Sequence, residues 1–289
     1  DNSELKIVAT IDASPDADVL PAGRSADTRA TFNPDGSGAF ATGDVLRLRV
    51  RGSVPVTYHV EYTIGTTVLR WDDFKDIGNK GPLTFAGAYP KNAVDNDNCF
   101  YILRAANPDL LIAPTVTVAK GEPVRLAFRH VMHRLVVNLS GNALTADELS
   151  QASVRLSESL YCCAVVDFTN ATALADNSAI YGDNPPTRTG ATTTFILVPQ
   201  DIHSLSEKIT ITAGGQELTY TFPAQLPGAT AYDPPRRLQS GRTLTLNLAI
   251  NTANRSAAAS AKPSTRATTT DDAAPVSYTH LTLPTSDLV

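Results

Sequence analysis

Three cysteines, one tryptophan and one methionine are all that 289 residues contain. Cys99, Cys162 and Cys163 are odd in number and lack C-x-x-C spacing, which argues against both a disulfide framework and a zinc site. Cys162 and Cys163 are adjacent, would face opposite sides of a strand, and are expected to be buried as small apolar side chains. No apolar run approaches the roughly 18 residues needed to span a bilayer. Basic residues are few and scattered: 24 Lys and Arg against 29 Asp and Glu give a formal net charge of −5. That excludes a groove built to neutralise nucleic-acid phosphates. The G-x-S-x-G elbow, the H-E-x-x-H helix, the P-loop and the dinucleotide fingerprint are absent, so no cofactor is implied and no enzyme is expected. The chain begins at Asp1 without a methionine or a signal peptide and reads as a mature form or a fragment.

What is present is alternation. Hydrophobic residues make up 42% and charged residues 18%, a globular balance, and the length suggests roughly two domains. Leu5, Ile7, Ala9 and Ile11 form one stripe of period two; Leu46, Leu48 and Val50 form another, with Arg47, Arg49 and Arg51 on the opposite, solvated face. Leu244, Leu246, Leu248 and Ile250 mark the cleanest half-buried strand. Lys208–Ala213, Gly214-Gly215 and Gln216–Phe222 read as a hairpin, the glycines supplying positive φ. Between Val124 and Leu139 the parity of the apolar residues switches near His133, implying a bulge, a kink or a strand that crosses between sheets. Helical signal is confined to a capping box at Thr145–Glu148.

Many short strands predict an all-β chain of two β-sandwiches, residues 1–122 and 123–252, divided at the Lys120–Pro123 turn. Residues 252–274, mostly Ala, Ser, Thr and Asp, predict a flexible linker.

Candidate binding chemistry is thin. His130 and His133 would face opposite sides of a strand and could not share one ion. Asp72, Asp73, Asp76 and Asp95–Asn98 are oxygen-rich, but their spacing does not match an EF-hand and is that of turns; no metal site is predicted. Trp71 and Tyr89, with Tyr58 and Tyr62, could form an aromatic platform for a glycan, although aromatics at strand positions usually pack in cores. A hydrolase would need a carboxylate pair facing one cleft, and no strong candidate stands out.

An ordered series of short signatures adds to this. Phe40-Ala-Thr-Gly-Asp44, Trp71-Asp72, Phe85-Ala-Gly-Ala-Tyr-Pro90, Asp109-Leu-Leu111, Phe128-Arg-His130 and Ile196-Leu-Val-Pro-Gln200 together resemble the fimbrillin-like family of Bacteroides-type surface and pilus proteins. Phe40 stands where that family commonly has tryptophan. The resemblance covers residues 1 to about 250. It implies two tandem transthyretin-like, Greek-key sandwiches, to which composition adds a disordered tail from residue 253, and a non-enzymatic pilus subunit (stalk, tip or anchor) at the outer surface. It also implies a lipoprotein precursor anchored to the outer membrane through a cysteine upstream of this sequence.

Pilus-forming relatives lose their first strand to an arginine-specific protease and accept a strand from a neighbouring subunit. By that likeness Glu4–Ile11 is the removable strand, and Arg24 and Arg29, in the loop Leu20–Ala30, are the candidate cleavage points. Partners would then be other fimbrial subunits, with host or bacterial surface ligands as a further possibility. The alternative is a solitary surface lipoprotein binding glycan through Trp71 and Tyr89. The end of the chain, Pro275–Val289, resembles both a tethered donor strand and translated sequencing-adapter DNA; the second reading makes it an artefact.

Overall fold

The computed structural model describes residues 3–14, 30–94, 100–102, 109–157, 160–176, 182, 184–203, 207–227, 229, 234–250, 257–263 and 278–281. They form an all-β protein in two compact units, one of residues 1–132 with 163–176, the other of 133–162 with 177–289.

The first unit contains β1 (Glu4–Leu5), β2 (Ile7–Ile11), β3 (Thr31–Phe32), β4 (Gly38–Ala39), β5 (Val45–Arg51), β6 (Tyr58–Thr63), β7 (Leu69–Arg70), β8 (Leu83–Tyr89), β9 (Phe100–Ile102), β10 (Leu111–Val118) and β11 (Val124–His130). A short 3-10 helix, Trp71–Ile77, lies between β7 and β8. Chain order continues in the second unit with β12 (His133–Ser140), helix α1 (Ala146–Gln151) and β13 (Ser153–Leu156). A hairpin of β14 (Cys163–Asp167) and β15 (Thr172–Ala175) belongs to the first unit. The second unit then resumes with β16 (Thr187–Thr189), β17 (Thr192–Leu197), β18 (Gln200–Asp201), β19 (Lys208–Ala213), β20 (Gln216–Thr221), β21 (Arg237–Leu238), β22 (Thr243–Ile250), β23 (Ala257–Pro263) and β24 (Tyr278–Leu281).

In the first unit the strands run β3-β4-β2-β11-β10-β8-β5-β6. The β10–β11 link holds at only two register positions, Leu111↔His130 and Ile112↔Arg129. The two halves of the sheet thus share one corner, and their apolar faces meet in a common core: Leu46, Leu48 and Val50 from β5, Phe85 from β8, and Leu126 and Phe128 from β11. In the second unit a six-stranded sheet, β16-β17-β12-β22-β23-β24, and a three-stranded sheet, β13-β19-β20, bury one core. Leu135, Phe195 and Leu246 come from one sheet, Ile209, Ile211 and Tyr220 from the other.

Several expectations change. The parity switch near His133 is a break between β11 and β12, with Val131 and Met132 between them, and the unit boundary falls there instead of at 122/123. Lys120–Pro123 is the turn of the β10–β11 hairpin, and β11 pairs with β2 and β10, so it cannot leave the first unit. The arginine face of β5 is not simply solvated. Arg47 pairs with Glu61 at 3.1 Å, and the Arg49 guanidinium lies 4.4 Å from the Phe168 ring centroid in a cation–π contact. Part of the expected linker and tail is ordered as strand: Ala257–Pro263 pairs with β22, and Tyr278–Leu281 pairs with β23. An open strand edge offers a row of N–H and C=O groups, which small-residue backbone can satisfy without large side chains. The hairpin β19–β20 turns at Gly214 and Gly215, with φ of 55° and 75°, as its glycine pair implies.

Candidate functional site

The first segment of the chain joins two ladders. β1 pairs antiparallel with β7, Glu4 opposite Arg70 and Leu5 opposite Leu69. β2 pairs in parallel with β11 from Ile7↔Val124 to Ile11↔Phe128. The Val124 amide donates to the Lys6 carbonyl at 2.9 Å, and the Asp12 amide donates to the Phe128 carbonyl at 2.9 Å, closing both ends of the second ladder. On the other side of β2 the ladder among the described residues is a single position, Ile11↔Gly38.

The apolar stripe points inward. Leu5 is 6% exposed and Ile11 is 4% exposed; Ile7 and Ala9 are partly buried against the same core. Full burial of a Leu or Ile side chain is worth about 1.5–3 kcal/mol, so the two ends are the strong anchors. Thr10 faces outward. Leu5, Ile7, Ala9 and Ile11 are therefore brought together on one core, in a segment whose outer neighbour, β4, meets it at a single ladder position. Arg24 and Arg29 lie outside the described residues.

The β3–β4 hairpin is held against this element from outside the ladder. His130, at the end of β11, places Nδ1 2.7 Å from Asp109 Oδ2 and Nε2 2.8 Å from the Gly36 carbonyl oxygen. Both ring nitrogens meet oxygens, so the ring ties Asp109 to the β3–β4 turn. The Ser14 amide donates to the Asp35 carbonyl, and Arg129 lies 3.5 Å from Asp12.

The signature residues meet in pairs that the sequence does not display. The Tyr89 hydroxyl donates to Asp44 Oδ1 at 2.7 Å, while Asp44 Oδ2 accepts from the Ala41 amide. The Phe40 ring stands edge-on to both Tyr89 and Phe128. Gly87 leaves the space that Phe128 occupies: a Cβ there would lie 2.6 Å from Phe128 Cζ. In the second unit, the Gln200 carboxamide bridges the backbone of Tyr161, accepting from its amide at 2.8 Å and donating to its carbonyl at 3.0 Å. These contacts position strands.

Trp71 and Tyr89, the aromatic pair considered for glycan, are 2% and 4% exposed. Trp71 Nε1 donates to the Asn79 carbonyl, and Asn79 Nδ2 donates back to the Trp71 carbonyl, both at 2.8 Å. Neither ring offers a face to solvent, because large aromatics on inward strand and helix positions bring more stability buried than exposed. Of the other two rings, Tyr58 is exposed and Tyr62 partly buried. A cleft beside Glu4, Leu5, Lys6 and Trp71 has a volume of about 130 Å³, below the roughly 300 Å³ of small-molecule sites.

Cys162 and Cys163 are buried; Cys99 and Asp95–Asn98 lie outside the described residues. His133 is buried, and burial depresses its pKa to about 4. Among the described residues no group of three or more His, Cys, Asp or Glu side chains could hold a metal ion, and no helix is long and apolar enough to cross a membrane.

A model of the family described as fimbrillin-like matches residues 77–271, about two thirds of the chain. The chain belongs to the fimbrillin-like family. The matched stretch of this fimbrillin-like chain contains β8, β10 and β11; β1 and β2 precede it. No curated protein matches by sequence. Among solved structures, a candidate cell adhesion protein from Bacteroides uniformis aligns with TM-score 0.58 at 15% identity, over 90% of this chain and 96% of that one. A second candidate cell adhesion protein, from Bacteroides ovatus, gives 0.54 at 15% identity over 91% and 96%. A fimbrial assembly protein from Parabacteroides distasonis gives 0.50 at 11% identity over 91% and 97%. At these identities the likeness is one of fold. Family membership places the chain among fimbrial-type surface proteins.

Proposed function

We propose that this chain is a pilus subunit, non-enzymatic, that assembles by strand exchange after its first segment is removed. The observation that supports this most is the seating of Glu4–Ile11. It has two buried anchors, Leu5 and Ile11, and almost no ladder on its outer side among the described residues. Once it leaves, β11 presents an unpaired edge beside an apolar slot, the chemistry by which a sheet captures an extended strand from another chain. Its partners are then other fimbrial subunits, and its place is the cell surface, with the precursor tethered to the outer membrane by a lipid.

Cleavage after Arg24 or Arg29 would free the segment. Both positions follow β2 and precede β3, so a cut at either separates β1 and β2 from the rest of the first unit. The test is treatment of the purified chain with an arginine-specific protease, alongside Arg24→Ala and Arg29→Ala variants. One of the two substitutions should abolish the cut, and the cut protein should form heat-labile, SDS-resistant oligomers. A cut protein that stays monomeric and captures no added strand sinks the reading.

A further inference from the structure

The slot left by the first segment has two parts in two different sheets. β1 is the ladder partner of β7 in a two-stranded sheet, while β2 pairs with β11 in the eight-stranded sheet. Lys6 belongs to neither strand; its carbonyl accepts from Val124 as the backbone passes from one sheet to the other. The parity of the apolar positions survives this passage. Leu5, Ile7, Ala9 and Ile11 all pack on one core, with the deepest positions at the two ends.

Resting on the strand-exchange reading, we propose that the slot selects an incoming segment of at least the length of Glu4–Ile11 and of one polarity. Its first two residues pair antiparallel with β7, the next residue crosses without joining either ladder, and the last five pair in parallel with β11. Bulky apolar side chains are required at the positions of Leu5 and Ile11. The polarity follows from asymmetry: Leu5 comes immediately before the crossing residue, whereas Ile11 comes at the far end of the five. A reversed segment cannot place both anchors and the crossing point together. A segment matching β11 alone leaves the Leu69–Arg70 edge without its partner strand and the Leu5 position empty.

The experiment uses the full chain with a recognition sequence for a site-specific endopeptidase inserted between Arg24 and Arg29. After cleavage, fluorescent peptides compete for the slot, read by polarisation and by hydrogen exchange of the β7 and β11 amides. The probes are Glu4–Ile11, the shorter Ile7–Ile11, the reversed sequence of Glu4–Ile11, and Glu4–Ile11 carrying Leu5→Asp or Ile11→Asp. The native peptide should bind and protect both strands. Each Asp variant should bind at least about tenfold more weakly, because a carboxylate cannot enter an apolar pocket unpaired. The shorter peptide should also lose at least about tenfold and leave β7 unprotected. Equal binding of the shorter or the reversed peptide overturns the two-part slot while leaving strand exchange standing. A cut chain that does not exchange its own first segment for the native peptide overturns strand exchange, and the proposal with it.

Discussion

Replacing Ile11 by alanine should loosen the first segment without unfolding the unit that holds it. Ile11 is 4% exposed and closes the far end of the β2–β11 ladder. Truncating a buried Ile to Ala costs about 2–5 kcal/mol in protein interiors. A site on a strand with a full ladder on one side only can relax, which places this case near the lower end, about 2–3 kcal/mol. That cost falls on the local opening that releases β1 and β2, because those strands are held by Leu5, Ile11, the short antiparallel ladder to β7 and the parallel ladder to β11. Native-state hydrogen exchange reads it directly. The amides of Val124 and Asp12, bonded to Lys6 and Phe128 across the ladder, should exchange about 30–150-fold faster. Amides in β5 and β8 should be nearly unchanged. Trp71, the single tryptophan, lies beside Leu5 and Lys6, so its fluorescence should shift with the same local opening. Thr10→Ala is the control; its side chain faces outward and should matter by less than about 0.5 kcal/mol. If Ile11→Ala accelerated exchange equally in β5 and β8, the first segment would be part of the global cooperative unit, and the argument that it leaves alone would fail.

Three further outcomes follow from other sites. His133 has its pKa lowered to about 4 from 6.5 by burial, so between those values the unfolded chain binds a proton that the folded chain does not. Stability of the second unit should therefore fall as pH drops from about 6.5 to 4, by on the order of 3 kcal/mol. His133→Leu should flatten that limb when β12 exchange is followed; burial raises the Glu207 pKa, which opposes the trend and reduces its apparent size. Tyr89→Phe removes the hydroxyl bonded to buried Asp44 and should destabilise the first unit by about 1–3 kcal/mol in denaturant titrations monitored at Trp71. Gly87→Ala should cost about 1–3 kcal/mol in the same assay, since the added Cβ meets the Phe128 ring; Phe128→Leu in combination should recover part of that loss.

Strand-level pattern was legible from residues. The alternation in Leu5–Ile11, Leu46–Val50 and Leu244–Ile250 appears as β1 with β2, as β5 and as β22, because a half-buried strand has period two and nothing local competes with it. The hairpin at Gly214-Gly215 and the Thr145–Glu148 capping box were readable because their chemistry is confined to a few adjacent residues. Longer-range placement was not. The Lys120–Pro123 turn looked like a boundary and is a hairpin within one unit; only the pairing of β11 with β2 and β10 distinguishes the two. Trp71 and Tyr89 looked usable for a ligand from type alone, and only packing shows that both are inside.

The signatures divide the same way. By itself the sequence determined that this is an all-β chain with an apolar first segment and the ordered marks of the fimbrillin-like family, since these properties reside in residue type and local order. Tertiary structure decided what the marks are for. Asp44 meets Tyr89 across 45 residues of chain, Asp109 meets His130 across 21, and Gly87 makes room for Phe128. It also decided that Glu4–Ile11 is shared between two sheets. Hydrogen-bond partners on separate strands are chosen by register and layer packing, which no local pattern encodes.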